Sequence, residues 1–325
     1  MLSRRLALAL GLTFAVASPA TGARAADVDT ITLDWAYYNP VSLVLKQQGW
    51  LEEELKPKGI DVRWVQSLGS NKALEFLNAG SLDFGSTAGA AALLGKINGN
   101  PIETVWVYSK PEWTALVTRP DTGIAKVEDL KGKRIAVTKG TDPFIFLLRA
   151  LASHGLGSKD VELVLLQHDQ GRLALERGDV DAWAGLDPMM ADVELSRGFP
   201  LFYRDADANS YGVLNVREEF AAEHPELVQQ VLAVYERGRQ WALANPEGLA
   251  KLLAETAKLP EPVASRQLER TAFVDPAPGP AERDTIVAAG KALQGAELIK
   301  PDVDVVAVVD GLLQPSFAGT VVAGQ

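Results

Sequence analysis

One short pattern occurs twice, about a hundred residues apart, and it narrows the folds open to this chain more than any other feature. Leu77-Asn78-Ala79-Gly80-Ser81-Leu82-Asp83-Phe84-Gly85-Ser86-Thr87-Ala88-Gly89 reads as a helix end, a glycine stop, a short strand and a small-residue turn into a second helix. Leu175-Glu176-Arg177-Gly178-Asp179-Val180-Asp181-Ala182-Trp183 repeats the helix end, the glycine, the branched apolar residue and the aspartate. A repeated αβ unit predicts two similar α/β lobes. The turn at Ser86-Thr87 leads into a helix N-terminus, where unpaired N–H groups and the helix dipole favour negative charge, so a small anion is expected between the lobes.

The 325 residues exceed one typical domain, and 47% apolar with 23% charged content suits a folded globular chain. Met1 to Ala25 reads as a secretory leader: Arg4 and Arg5 precede the apolar run Leu6 to Val16, and Ala23-Arg24-Ala25 is an A-x-A cleavage signature. Export to the periplasm is therefore expected. Cleavage would remove three arginines and no acid, taking the formal charge from −10 to −13. That balance argues against nucleic acid and anionic membrane surfaces as partners, and an anionic ligand would have to be attracted by local dipoles. The chain has no cysteine. Disulfides, thiolate metal sites, a cysteine nucleophile and a lipid-attachment cysteine are all excluded, and a free exported protein is expected.

Strands alternate with helices from Ile31 onward: Ile31 to Trp35, Ile60 to Val65, Leu82 to Ser86 and Glu103 to Tyr108 read as strands, with helices between them. This order predicts parallel sheets flanked by helices, with ligands beyond the carboxyl ends of the strands. The turns there supply the first candidates. Tyr37, Tyr38 and Asn39 precede a helix opened by Pro40; Gly69 and Ser70 open the next, with Ser70 either a helix N-cap or a ligand contact; Ser86, Thr87 and Ala88 follow the third strand. A first crossing between lobes is read in the extended run Trp113 to Thr118, which leads to the proline and glycine of Arg119-Pro120-Asp121-Thr122-Gly123. In the second lobe Lys139, Gly140, Thr141 and Asp142 precede Pro143, with Asp142 either an N-cap or a counter-charge. Trp183 is either lobe core or a cleft wall, and Asp187 before Pro188 either a cap or a ligand contact. Tyr211 lies in the return crossing. The expected division is a leader at 1–25, lobe 1 at 26–113, lobe 2 at 114–209, and a return to lobe 1 with C-terminal helices at 210–325, the two crossings acting as a hinge.

No catalytic constellation accompanies these turns. His154, His168 and His224 have no metal-ligand partner at helical or hairpin spacing and read as surface or capping residues; no G-x-S-x-G, P-loop or G-x-G-x-x-G occurs. No metal, cofactor or catalytic residue is assigned, and no enzyme activity is expected.

In family order, Leu74 to Thr87, Asp129-Leu130-Lys131-Gly132-Lys133-Arg134-Ile135-Ala136-Val137 with Lys139-Gly140, Leu147 to Leu151, and Gly178 to Ala184 with Asp187-Pro188 resemble exported solute-binding proteins of ABC importers, of the aliphatic sulfonate and taurine group. The resemblance implies a two-lobe periplasmic binding protein of type II, closing over a small anionic or zwitterionic ligand and delivering it, as a monomer, to an inner-membrane permease. It implies a sulfonate near Ser86 and Thr87, with a second-lobe contribution from the Lys139-Gly140-Thr141 turn. A zwitterion such as taurine would set its ammonium against Asp142 or Asp187. Nitrate, a pyrimidine precursor or an aromatic carboxylate is the alternative ligand. Sulfinate desulfinases resemble the same group but rely on a cysteine that this chain lacks.

Overall fold

The structure, a computed structural model, describes residues 28–323; the leader read at 1–25 lies outside them. The first lobe opens with β1 (Thr30–Trp35), α1 (Pro40–Gln48), α2 (Trp50–Leu55), β2 (Asp61–Gln66), α3 (Ser70–Asn78), β3 (Phe84–Ala88), α4 (Gly89–Ile97) and β4 (Ile102–Pro111). The second holds β5 (Leu116–Thr118), β6 (Arg134–Val137), α5 (Asp142–Ser153), β7 (Glu162–Leu165), α6 (His168–Arg177), β8 (Ala182–Ala184), α7 (Met189–Arg197) and β9 (Leu201–Tyr203). The chain then returns through β10 (Gly212–Arg217), α8 (Glu218–Glu223), α9 (Pro225–Ala244), α10 (Pro246–Ala257), α11 (Glu261–Glu269), β11 (Thr271–Ala272), α12 (Pro280–Gly295), α13 (Val305–Leu312) and α14 (Pro315–Ala323).

Two sheets result, in the orders β11-β4-β10-β3-β1-β2 and β7-β6-β8-β5-β9. β2, β1 and β3 run parallel, as do β7, β6 and β8, because a helix carries the chain back between them. The sheets are nevertheless mixed, where parallel ones were expected. β10 lies antiparallel between β3 and β4, and β5 lies antiparallel between β8 and β9. Each enters its sheet directly from an interlobe crossing, without the helix that a parallel neighbour requires. Gly212 starts β10 where a Cβ would stand 2.3 Å from the ring of Tyr108, so the return crossing fits only without a side chain.

The repeated pattern plays the same part in both lobes. α3 and α6 each stop at a left-handed glycine, Gly80 (φ +66°) and Gly178 (φ +82°). The aspartate that follows caps the start of the neighbouring strand: Asp83 accepts from Thr32 N at 2.8 Å and Asp181 from Arg134 N at 2.8 Å. The duplication is thus a folding device, remote from the ligand end of the sheets.

Packing follows the apolar faces. In the first lobe Ile31, Leu33, Phe84, Trp106 and Tyr108 meet Val228, Val231 and Tyr235 of α9; in the second Val117, Ala136, Leu175 and Met190 enclose Trp183. A third cluster joins Leu93 and Ile286 of the first lobe to Phe146 and Leu147 of α5. The C-terminal helices were expected to pack back on the first lobe. α9, α10 and α14 do pack there, but α12 also touches α5 and α11 touches α7, because their remaining apolar sides cover the interlobe seam.

Candidate functional site

The carboxyl ends of β1, β2, β7 and β8 face one another across a cavity of about 230 Å³. Its first-lobe wall is Tyr37, Tyr38, Ser67 and Leu68; its second-lobe wall is His168, Asp169 and Arg172 on the first turns of α6, with Leu186, Asp187, Pro188 and Met189 before and at the start of α7; Ala257 and Leu259 close the mouth. A smaller chamber continues inward past Tyr38, His168 and Leu186 to Ser70, Trp113, Thr141, Asp142 and Pro143. Three helices begin here. α3 starts at Ser70, α5 at Asp142 and α6 at His168, and the approach is close: a Cβ on Gly69 would stand 3.1 Å from His168 Nε2, and one on Gly140 3.6 Å from Asn71 Cβ. The first amides of a helix have no intrahelical acceptor. Converging from both lobes, they set positive dipole ends around the inner chamber, beside the Asp142 carboxylate that also lines it.

Buried polar atoms without partners lie in or next to the same space. The Ser67 hydroxyl, the side-chain oxygens of Asn71 and Gln167, and both ring nitrogens of His168 make no hydrogen bond. Ser67 is 2% exposed and His168 1%. Such groups cost roughly 1–3 kcal/mol each when left unpaired, so a ligand that bonds them recovers what folding gave up. Burial holds the imidazole neutral, its pKa lowered to about 3, so His168 offers hydrogen bonds and no charge.

Several sequence candidates lie one layer deeper. Asp34 accepts from both the N–H and the hydroxyl of Ser86 at 2.8 Å; Asn39 donates to the same hydroxyl at 2.8 Å, and Tyr38 OH donates to the Ser86 carbonyl at 3.0 Å. The Thr87 hydroxyl accepts from Asn215 Nδ2 at 2.8 Å. Ser86 and Thr87 are fully buried, and their hydroxyls are spent inside the lobe, holding β3 to β1 and β10. Burial pushes the Asp34 carboxyl up to about 6, against the lowering effect of Ser86. The amides of α4 are likewise taken: Ser70 Oγ accepts from Ala88 N at 3.0 Å, the Tyr211 carbonyl from Gly89 N at 2.8 Å, and Ser210 Oγ from Ala90 N at 3.3 Å. The helix end expected to receive an anion is closed by the protein itself. The electropositive ends that remain belong to α3, α5 and α6.

Ser70 is the first helical residue, with Gly69 at the N-cap; its hydroxyl accepts from Ala88, so its proton points elsewhere. Thr141 occupies the N-cap of α5 and donates to the Thr138 carbonyl at 2.6 Å, while Lys139 is exposed. Asp142 caps nothing. It accepts from Trp113 Nε1 at 2.8 Å and from Ser210 N and Oγ at 3.0 and 2.7 Å, tying the start of α5 to both interlobe crossings. Three of its roughly four acceptor positions are filled in this way. Trp183 is fully buried against Gly171 in the second lobe, a core residue and not a cleft wall. Tyr211 lies away from the cavity, its ring under Lys110 at 4.9 Å. Tyr37 and Tyr38 do line the cavity, and so does Asp187, which accepts from Ala191 N at 2.9 Å and faces Arg270 at 3.5 Å.

Four polar residues of the cavity, Ser67, His168, Asp169 and Arg172, are not among the candidates offered by the sequence. His168 was read as a surface or capping residue, yet it follows the carboxyl end of β7, where the rule applied to the first lobe would have flagged it. Arg172 carried no such signal. It reaches the cavity from the second turn of α6, pinned by Asp192 at 2.5 Å and Glu176 at 3.7 Å.

Comparison with known proteins places this geometry. The family model for NMT1/THI5-like proteins matches residues 41–249. A Bacillus subtilis (strain 168) protein named for binding aliphatic sulfonates is 30% identical over 232 residues, 70% of either chain. The taurine-binding periplasmic protein of Escherichia coli (strain K12) is 29% identical over 213 residues, 63% of this chain and 64% of its own. Among solved structures, the alkanesulfonate-binding protein SsuA of Xanthomonas axonopodis pv. citri, bound to MOPS, superposes with a TM-score of 0.79 at 25% identity, over 87% of this chain and 99% of its own.

Proposed function

Because the chain belongs to the NMT1/THI5-like family, with relatives that bind sulfonates, we propose that it is the solute-binding protein of an ABC importer and captures an aliphatic sulfonate in the cavity between its lobes. The observation that carries this reading is the meeting of α3 with α5 and α6 around buried, unpartnered Ser67 and His168. A sulfonate is anionic at every physiological pH and presents three acceptor oxygens. Fixed donors suit it: the first amides of α3 and α6, which no side chain caps, the hydroxyls of Ser67 and Ser70, and one N–H of His168. Tyr37, Leu68, Leu186, Met189 and Leu259 then offer an apolar lining for its carbon chain.

Capture and release proceed without covalent change. The lobes close about the crossings at 112–115 and 204–211, exclude water and strengthen the polar contacts, and the closed form is what an inner-membrane permease would sense. The chain has no cysteine for a desulfinase nucleophile. The periplasm, reached by the leader at 1–25, and a monomeric state complete the proposal.

A thermal-shift screen of the mature chain with butane-1-sulfonate, taurine, nitrate, benzoate and a pyrimidine tests it. A ligand bound only by the folded state at a hundredfold excess over Kd stabilises by about 2.7 kcal/mol. Sulfonates alone should raise the Tm; a shift confined to nitrate, benzoate or the pyrimidine would replace the reading.

A further inference from the structure

Asp187 stands on the cavity wall, 1% exposed, and one of its oxygens is bound by Ala191 N. The other meets the Arg270 guanidinium at only 3.5 Å, because Arg270 gives its shorter bond to Glu194. Arg270 follows α11, in the C-terminal part of the chain, whereas Asp187 and Glu194 belong to the second lobe. Two carboxylates therefore share one buried cation across the seam, and the weaker partner faces the ligand. We propose that Asp187 is the specificity-determining residue of the cavity: neutral, it admits a sulfonate whose tail carries no charge; ionised, it pairs with the ammonium of an aminosulfonate. This rests on the sulfonate reading given above.

Charge bookkeeping around the residue supports it. The groups facing Asp187 are Arg270 and Glu194, Arg204 at longer range and itself held by Glu112, Asp169 and Arg172 of α6, the neutral His168, and Tyr37 and Tyr38 from the opposite wall. Arg172 is engaged by Asp192 and Glu176, and no unshared cation among the described residues lines the cavity. Burial prevails over Arg270 and lifts the Asp187 carboxyl to about 7. A sulfonate bound in the cavity adds a second negative charge to the space that Asp187 lines, which favours the protonated acid further. An ammonium on the tail does the reverse and keeps the carboxylate ionised. Binding of an alkanesulfonate thus takes up a proton, and binding of an aminosulfonate releases one. Asp142 of the inner chamber already accepts three bonds from Trp113 and Ser210, and Asp169 on the cavity wall is exposed to solvent.

The test is titration calorimetry of the mature chain with butane-1-sulfonate and with taurine between pH 6 and pH 8, in buffers of different ionisation enthalpy. If each ligand selects one form of a group titrating near 7, butane-1-sulfonate should bind about tenfold more weakly at pH 8 than at pH 6 and taurine about tenfold more tightly. Proton exchange should have opposite sign for the two. D187N should bind butane-1-sulfonate at its acid-limb affinity across the range and lose taurine. Parallel pH profiles, no exchanged proton, or a D187N variant that keeps the slope would each overturn the assignment while leaving sulfonate binding intact. Failure to bind taurine at pH 8 would remove the ammonium half. Heat with neither ligand at any pH would remove the sulfonate reading itself, and the assignment with it. The proton count needs no variant, so the proposal stays exposed even if D187N does not fold.

Discussion

Replacing Asp34 with asparagine should reshape the pH dependence of stability. The carboxyl is fully buried, accepts two bonds from Ser86 through one oxygen, and faces the Ser67 hydroxyl, which with Ser86 lowers its pKa against the effect of burial. Its pKa stands near 6 in the folded protein against about 3.9 in an unfolded chain. Because the folded value is the higher one, the folded state binds the proton more tightly. The associated stability is complete below about pH 4 and disappears as the pH rises through 6. Two units correspond to about 3 kcal/mol, of which about 2 should separate pH 4.5 from pH 8. Asparagine keeps an oxygen for Ser86 and turns a donor toward Ser67, without charge. Urea unfolding followed by tryptophan fluorescence would give the difference between D34N and the natural protein, in which every other titrating group, Asp187 included, cancels. D34N should gain about 2 kcal/mol relative to the natural protein between pH 4.5 and 8. A difference that stays constant, or moves the other way, would mean that the ionised carboxylate is stabilised in the folded state, and the burial reasoning would be refuted.

Three further outcomes are expected. S67A removes a hydroxyl that faces the Asp34 carboxyl, so it should cost no more than one hydrogen bond, about 0.5–1.5 kcal/mol, while the thermal shift produced by a sulfonate shrinks. D142A strips the acceptor from Trp113 and from the Ser210 amide and hydroxyl, and should cost about 2–4 kcal/mol in denaturant unfolding, with a more open average shape in small-angle scattering. G171V places a branched side chain where even a Cβ would stand 2.9 Å from Trp183 Nε1, and should lower stability by about 1–3 kcal/mol or more, visible as a lower Tm with the Trp183 environment disturbed.

Much of this molecule is written in local sequence. The glycine-aspartate unit specifies its own helix stop twice, because a left-handed glycine ends the helix without distant information; the aspartate three residues after that glycine then bonds a neighbouring strand 51 or 47 residues away, a step that only the folded sheet supplies. Alternating strands and helices, and the proline-opened helices at Pro40 and Pro225, follow from the same short-range chemistry. The family was legible too, since its motifs are the turns and caps that build the lobes.

What the sequence alone could not decide is which polar atoms remain unspent. Ser86 and Asp142 look like ligand residues in a linear reading, and each is consumed by a partner remote in the chain: Asp34 is 52 residues from Ser86, and Ser210 is 68 from Asp142. His168 and Ser67 look ordinary, and they become candidates only because the apposed lobes bury them without an acceptor or donor. The same holds for Asp187, whose weak hold on Arg270 depends on a helix from the far end of the chain. Hydrogen-bond satisfaction is a property of the closed fold. Local pattern determines where strands and helices start and stop; only tertiary contact determines which of their polar groups are left to face a ligand.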